Sequence, residues 1–189
     1  MTAPILTVIA GANGCGKTTL TLSGTEFLKA VPVLDPDAIA KTLQSETPSA
    51  FPIAAARQVL KSAREHIARA ESFAVETTLS GKSYLQTMID ARARGFEVVL
   101  VYIGTQSVEI NLARIHNRVL AGGHDVPEED VRRRYKRSFE NLPLAIKRAD
   151  HTILFDNSTE EGYRLISILS LSGDAWFKPT PDWAAHLHK

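Results

Sequence analysis

Nine residues near the N-terminus, Gly11-Ala12-Asn13-Gly14-Cys15-Gly16-Lys17-Thr18-Thr19, have the types and spacing to hold a chain of phosphates. They fit G-x-x-x-x-G-K-[ST] and lie between the apolar run Ile5 to Ala10 and a helical pattern, the context in which that pattern forms a P-loop. Glycines let the backbone curl until successive N–H groups point inward at phosphate oxygens, and the helix that follows adds its positive end. Lys17 is placed to reach the β- and γ-phosphates of a nucleoside triphosphate, and the Thr18 hydroxyl to bind the Mg²⁺ that bridges them. ATP and Mg²⁺ are therefore the expected cofactors. Cys15 reads as a small filler of the loop.

The loop supplies a donor; transfer to an alcohol also needs a carboxylate that orients the hydroxyl and accepts its proton. Asp37 is the candidate base, one residue into the helix expected after the second strand, with Asp35 beside it. Glu76, Thr77, Thr78 and Ser80 follow the third strand and offer acceptor-binding groups, Glu76 being an acid at the end of an apolar run. Thr105 and Gln106 follow the fourth strand, Asp156 and Asn157 the fifth. Charge that develops in transfer can be met by arginines. Asn111, Arg114 and Arg118 share one helix face at i, i+3 and i+7, and five of the six residues from Arg132 to Arg137 are basic. Arg114 and Arg118 are the expected catalytic arginines. Gly122-Gly123 joins the two helices, so residues of about 107–141 could close over the nucleotide as a lid.

These groups must be positioned by a sheet. Strands are expected at Ile5–Ala10, Val31–Leu34, Ser72–Glu76, Phe96–Ile103 and His151–Phe155. Helices are expected from Lys17 to about Lys29, from Pro36 to Leu43, from Ile53 to about Ala70, from a Ser80 cap to Arg94, from a Ser107 cap to just before Gly122-Gly123, and from Pro127 onward with a kink or restart at Pro143. The segment Tyr163 to Ser170 is ambiguous between helix and strand, and Ser172 to Phe177 favours a C-terminal β-hairpin. Alternating strands and helices imply an α/β, three-layer P-loop NTPase fold with a mostly parallel central sheet, whose ligands bind at the carboxyl ends of the strands. Residues 1–178 form the single expected domain, and 179–189 read as a loosely attached tail.

The chain has 189 residues, enough for one domain with a sizeable core. Its net charge of +1 gives no global drive toward nucleic acid or membranes. A single cysteine excludes an internal disulfide and a cysteine-based zinc cage, and no stretch approaches a membrane span or a signal peptide. A cytoplasmic protein is the expectation.

The combination of Gly11 to Thr19, Asp35-Pro36-Asp37-Ala38-Ile39-Ala40, Val75-Glu76-Thr77-Thr78-Leu79-Ser80-Gly81, and Arg114 with Gly123-His124-Asp125-Val126-Pro127 resembles the zeta toxin family of P-loop kinases. It is similar more narrowly to that family's small free-standing members, over residues of about 5–157. Zeta toxins phosphorylate the 3′-hydroxyl of the amino sugar in UDP-N-acetylglucosamine with ATP and Mg²⁺. The resemblance implies that Asp37 is the base, that Glu76 and Thr77 grip the acceptor, and that Arg114 is a lid arginine. It also admits a separate antitoxin protein as partner. His124 stands near the position of a second lid arginine in the larger toxins, which passes that task to Arg118 or Arg134. Two rivals are a nucleic-acid-end or nucleoside kinase and a nucleotide-dependent binding switch.

Overall fold

A computed structural model of the chain describes residues 2–23, 28, 30–36, 38–39 and 51–187. In chain order the elements are β1 Ile5–Ala10, α1 Lys17–Ser23, β2 Val33–Leu34, α2 Phe51–Arg69, β3 Phe73–Thr77, α3 Ser83–Ala93 and β4 Glu97–Gly104. They continue with α4 Val108–Leu120, α5 Glu128–Ile146, β5 His151–Asp156, β6 Arg164–Ser170, β7 Gly173–Trp176 and α6 Asp182–Ala185.

The sheet runs β2-β3-β1-β4-β5-β6-β7. The first five strands are parallel, and β6 and β7 add antiparallel at one edge. This is the mostly parallel α/β sheet with a C-terminal hairpin that the sequence implies. Parallel strands covered on both faces must be apolar throughout, and β1 and β3 are buried along nearly their whole length. Because β1 lies between β3 and β4, the chain leaves it toward one side for β2 and β3 and crosses to the other for β4. That reversal opens a crevice at the carboxyl end of β1, where the P-loop begins.

The main core joins Leu6, Val8, Phe73, Val75, Val98, Leu100 and Leu154 of the sheet to Ile67 of α2, Met88 of α3 and Leu142 of α5. A smaller, separate cluster of Ile115, Val126 and Val131 lies between α4 and α5. Helix α5 therefore spans both, its later half in the main core and its first half in the small cluster.

Four expectations change. The third helix starts at Ser83 with Lys82 at its N-cap, because Leu79 turns through φ 55 and the Ser80 hydroxyl pairs with Thr78 instead. Helix α5 runs through Pro143 without restarting. The ambiguous segment is a strand, β6, paired antiparallel with β5. The supposed loose tail carries α6, whose Trp183 is buried in the main core beside Tyr102 and Phe139. Gly104 makes room for it: a Cβ there would lie 2.5 Å from the indole.

Of the helix expected from Pro36 to Leu43, Pro36, Ala38 and Ile39 are helical and the Ile39 N–H donates to the Asp35 carbonyl at 3.0 Å. Asp37 and the stretch 40–50 lie outside the described residues, as do 24–27 and 29 of the helix expected to reach Lys29.

Candidate functional site

The loop after β1 takes a conformation that its glycines require. Gly14 and Gly16 have φ of 79° and 107°, and Gly11 has 146°, values that side chains rarely adopt. Lys17 curls back so that its ammonium donates to the carbonyls of Gly11 at 2.8 Å and Ala12 at 3.2 Å. Three further carbonyls of the loop are held from outside. The Asn111 amide donates to Asn13 at 2.6 Å, the Asn157 amide to Cys15 at 2.8 Å, and the Tyr163 hydroxyl to Gly16 at 2.6 Å. Cys15 is buried, and that burial pushes its thiol pKa up despite the nearby Lys17.

On the β3 side an acid meets the start of α1. Glu76 accepts from the Thr18 hydroxyl at 3.1 Å and from the Thr21 hydroxyl at 2.6 Å. Its carboxyl is raised above the usual range, first by burial and further by the charge of Asp35, while the Thr21 hydroxyl and Lys17 pull the other way. Thr18, Glu76 and Asp35 are thus gathered at one place. They present only hard oxygen donors, and no group of three or more His, Cys, Asp or Glu forms a metal cage among the described residues. Such a donor set suits Mg²⁺, which takes few protein ligands and completes its shell with phosphate oxygens and water.

The remaining acceptor-side groups divide. Thr77 Oγ1 accepts from the Leu79 N–H at 3.0 Å and so fixes the turn after β3. Thr78 and Ser80 hydroxyls bond each other at 2.9 Å. Tyr84, on the first turn of α3, has a buried hydroxyl with no hydrogen-bond partner among the described residues, and burial with the charge of Asp35 pushes its pKa up to about 12.

The three candidate arginines take different partners. Arg114 donates to the carbonyls of Asn157 at 2.8 Å and Thr159 at 3.3 Å, bracing the loop after β5. Arg118 is exposed and donates to the His124 carbonyl at 2.7 Å, across the turn between α4 and α5. Arg134 is the one that reaches the P-loop, 3.3 Å from Asn13 Oδ1, while also pairing with Asp130 at 3.4 Å. The basic run is largely neutralised in place: Arg132 pairs with Glu109 and Glu128, Arg133 with Asp130, and Lys136 lies 3.9 Å from Glu140.

Sequence reasoning passed over Thr21, Tyr135 and Tyr163. Thr21 was visible as the hydroxyl one helical turn after Lys17. Tyr135 donates to the Thr105 carbonyl at 2.7 Å, and Thr105 in turn donates to Asn111 Oδ1 at 2.5 Å. A hydrogen-bonded path thereby links α5, the end of β4, α4 and the P-loop. Nothing in the local sequence signals such long-range partners.

Comparison with known proteins bears on the family and the fold. The sequence model of the AAA_33 family, described as an AAA domain, matches residues 6–142. An uncharacterized protein of Haemophilus influenzae is 41% identical over 125 residues, 66% of this chain and 88% of that protein. Among solved structures, the AvrRxo1-ORF1:ORF2 complex with ATP superposes with TM-score 0.72 at 18% identity, over 92% of this chain and 60% of that one. The PezAT toxin–antitoxin system of Streptococcus pneumoniae gives 0.63 at 16%, over 89% and 72%. A gluconokinase from Sinorhizobium meliloti 1021 gives 0.50 at 18%, over 82% and 84%. The chain thus has the fold of P-loop kinases.

Proposed function

The chain belongs to the AAA_33 family of AAA domains, and we propose that within it the chain is an ATP-dependent phosphotransferase of the zeta-toxin kind. The acceptor is a sugar hydroxyl, most directly the 3′-hydroxyl of a UDP-N-acetyl amino sugar. The observation that carries this reading is the pairing of Glu76 with both Thr18 and Thr21 beside the phosphate loop. That pairing sets a buried acid between the donor site and the acceptor side of the crevice. A motor or switch needs the loop; an alcohol kinase also needs acids and hydroxyls on the neighbouring strand ends.

In this reading Gly11, Ala12, Asn13, Gly14, Cys15, Gly16 and Thr19 form the phosphate cradle, with the Gly11 and Cys15 N–H groups spent on the Thr77 and Ala12 carbonyls. Lys17 swings from its own loop onto the β- and γ-phosphates. Thr18 holds Mg²⁺ with Glu76 beside it; the ion, when bound, neutralises charge on the phosphates. Asp37 accepts the acceptor's proton. Asp35, Glu76, Thr77, Thr78 and Ser80 orient the acceptor, and Arg114, Arg118 or Arg134 stabilises the transferred charge as the lid of about 107–141 closes. The domain expected over residues 1–178, with α6 packed into its core, acts as one catalytic unit, and a separate antitoxin is the partner this family likeness suggests.

The test is incubation with ATP, Mg²⁺ and a panel of UDP-sugars, nucleosides and oligonucleotides, followed by mass spectrometry. Phosphate gained by a UDP-amino sugar is the expected result, and ADP with free phosphate alone counts against transfer to that panel. Asp37→Asn should lower transfer by about 10²–10⁴-fold while ATP still binds. A pure nucleotide switch would keep its function in that variant.

A further inference from the structure

A phosphate nest works only if its N–H groups face inward, and each peptide that turns its N–H in turns the carbonyl of the preceding residue out. Those outward carbonyls need donors if they are not to be left unpaired. In this loop Lys17 takes the carbonyls of Gly11 and Ala12, and the Leu20 N–H takes that of Gly16 at 3.1 Å; the donors to Asn13 and Cys15, and a second donor to Gly16, come from three parts of the chain far away in sequence. Asn111, fully buried on α4, takes the Asn13 carbonyl; Asn157, buried after β5, takes that of Cys15; Tyr163, just before β6, takes that of Gly16. The sequence separations are 98, 142 and 147 residues.

The glycines of the motif are shaped around these donors. A Cβ on Gly14 would sit 2.6 Å from the Asn111 carbonyl oxygen, and one on Gly16 would sit 2.7 Å from Asn157 Nδ2 and 2.8 Å from the Tyr163 hydroxyl. Both donors beyond β5 are themselves braced. Arg114 ties the Asn157 carbonyl down at 2.8 Å, and Phe155 packs edge-on against Tyr163. Asp156, the residue before Asn157, is buried and accepts from Trp183 Nε1 at 3.0 Å and from Ser158 at 2.6 Å.

We propose that Asn111, Asn157 and Tyr163 are positioning residues that preorganise the P-loop for polyphosphate by holding its carbonyls outward, with α6 bracing the pair beyond β5 through Trp183 and Asp156. They act through the loop, not on the substrate. This inference rests on the phosphate-binding reading of the P-loop and goes beyond it, since it assigns part of the site's affinity to residues outside the motif.

The experiment measures binding of two probes, ATP and inorganic tripolyphosphate, to the full chain and to Tyr163→Phe and Asn157→Ala, well below the melting temperature of each variant. Tyr163→Phe removes one hydroxyl and keeps the ring on Phe155, so the fold survives it. Losing one such bond should weaken both probes by about three- to tenfold, with Asn157→Ala at least as severe. Trp183→Phe, which keeps an aromatic ring but loses the indole N–H, should weaken both in the same direction by a smaller factor. Affinities within about twofold of the parent in Tyr163→Phe and Asn157→Ala would overturn the proposal. So would loss of ATP binding with tripolyphosphate spared, because that pattern puts the side chains against the nucleoside. A parent chain that binds neither probe would instead defeat the phosphate-binding reading, and this proposal with it.

Discussion

The P-loop and the outer face of α5 are both tied by side-chain hydrogen bonds, but the ties are of opposite kinds. Those on the P-loop are buried or half-buried and reach across 98 to 147 residues of sequence. Those on the outer face of α5 are ion pairs one helical turn apart and exposed, such as Arg132 with Glu128 and Lys136 with Glu140, while its inner face reaches Thr105 through Tyr135 and Asn13 through Arg134. Apolar packing repeats the contrast, with a broad core beneath the sheet and only Ile115, Val126 and Val131 fully inside the lid cluster. Bonds sheltered from water keep most of their strength, whereas exposed pairs contribute about 0–1 kcal/mol and are screened by salt. The loop is held by sheltered bonds, and the outer face of α5 by exposed ones.

The largest expected effect tests that division through packing. Leu142→Ala, in the main core, should cost about 2–5 kcal/mol of global stability, read from urea unfolding. Val131→Ala should cost only about 1.5 kcal/mol for its two lost methyls. Its faster hydrogen exchange should stay within α4 and the first half of α5; if the sheet amides exchange faster too, the lid is not a separate unit. Next come the arginines. Removing the Arg134 side chain should lower transfer by about 10-fold or more, because it reaches Asn13. Arg118→Ala should change it by less than about threefold, its guanidinium being spent on the His124 carbonyl; steady-state rates of the two variants compare them directly, and equal losses would erase the distinction.

Cys15 gives a smaller effect. Burial raises its pKa, so at a given alkaline pH the folded chain holds less thiolate than the unfolded one. Alkylation by iodoacetamide should therefore be slow in the folded protein and fast in urea. By linkage, this thiol's contribution to stability is full below the unfolded thiol's pKa and is lost as pH climbs toward the folded value. Smallest is Arg132→Ala, which removes the exposed pairs to Glu109 and Glu128 and should lower the urea midpoint only slightly. That loss should vanish in 1 M NaCl, where the Debye length is about 3 Å.

The same contrast explains what could be read from the residues alone. Buried parallel strands are apolar runs, so β1, β3, β4 and β5 stand out, and the P-loop is a spaced motif. Local pairs are legible too: Glu128 with Arg132 and Asp130 with Arg134 lie at i and i+4, and that spacing foretells a neutralised helix face where the basic run suggested a patch. Non-local pairs are not. Nothing around Trp183 marks it as a core residue, since its place is made by the missing side chain of Gly104. Nor does the sequence near Arg118 distinguish it from Arg134, because the difference lies in where the turn at Gly122-Gly123 sends each helix. Asp37 was nominated by its place in the sequence and lies outside the described residues.

The three tethers also bear on the order of events during synthesis. Residues 11 to 19 leave the ribosome early, yet two of the donors that shape them, Asn157 and Tyr163, follow 142 and 147 residues later. A site closed by such distant contacts forms late and together with the sheet that carries them. The nascent chain should then carry its phosphate motif for most of its synthesis without a competent nest, and should begin to retain ATP only once β5 and β6 have joined the sheet. Stalled chains ending before residue 157, compared with chains extended past residue 187 and clear of the exit tunnel, would show that transition as the onset of ATP retention.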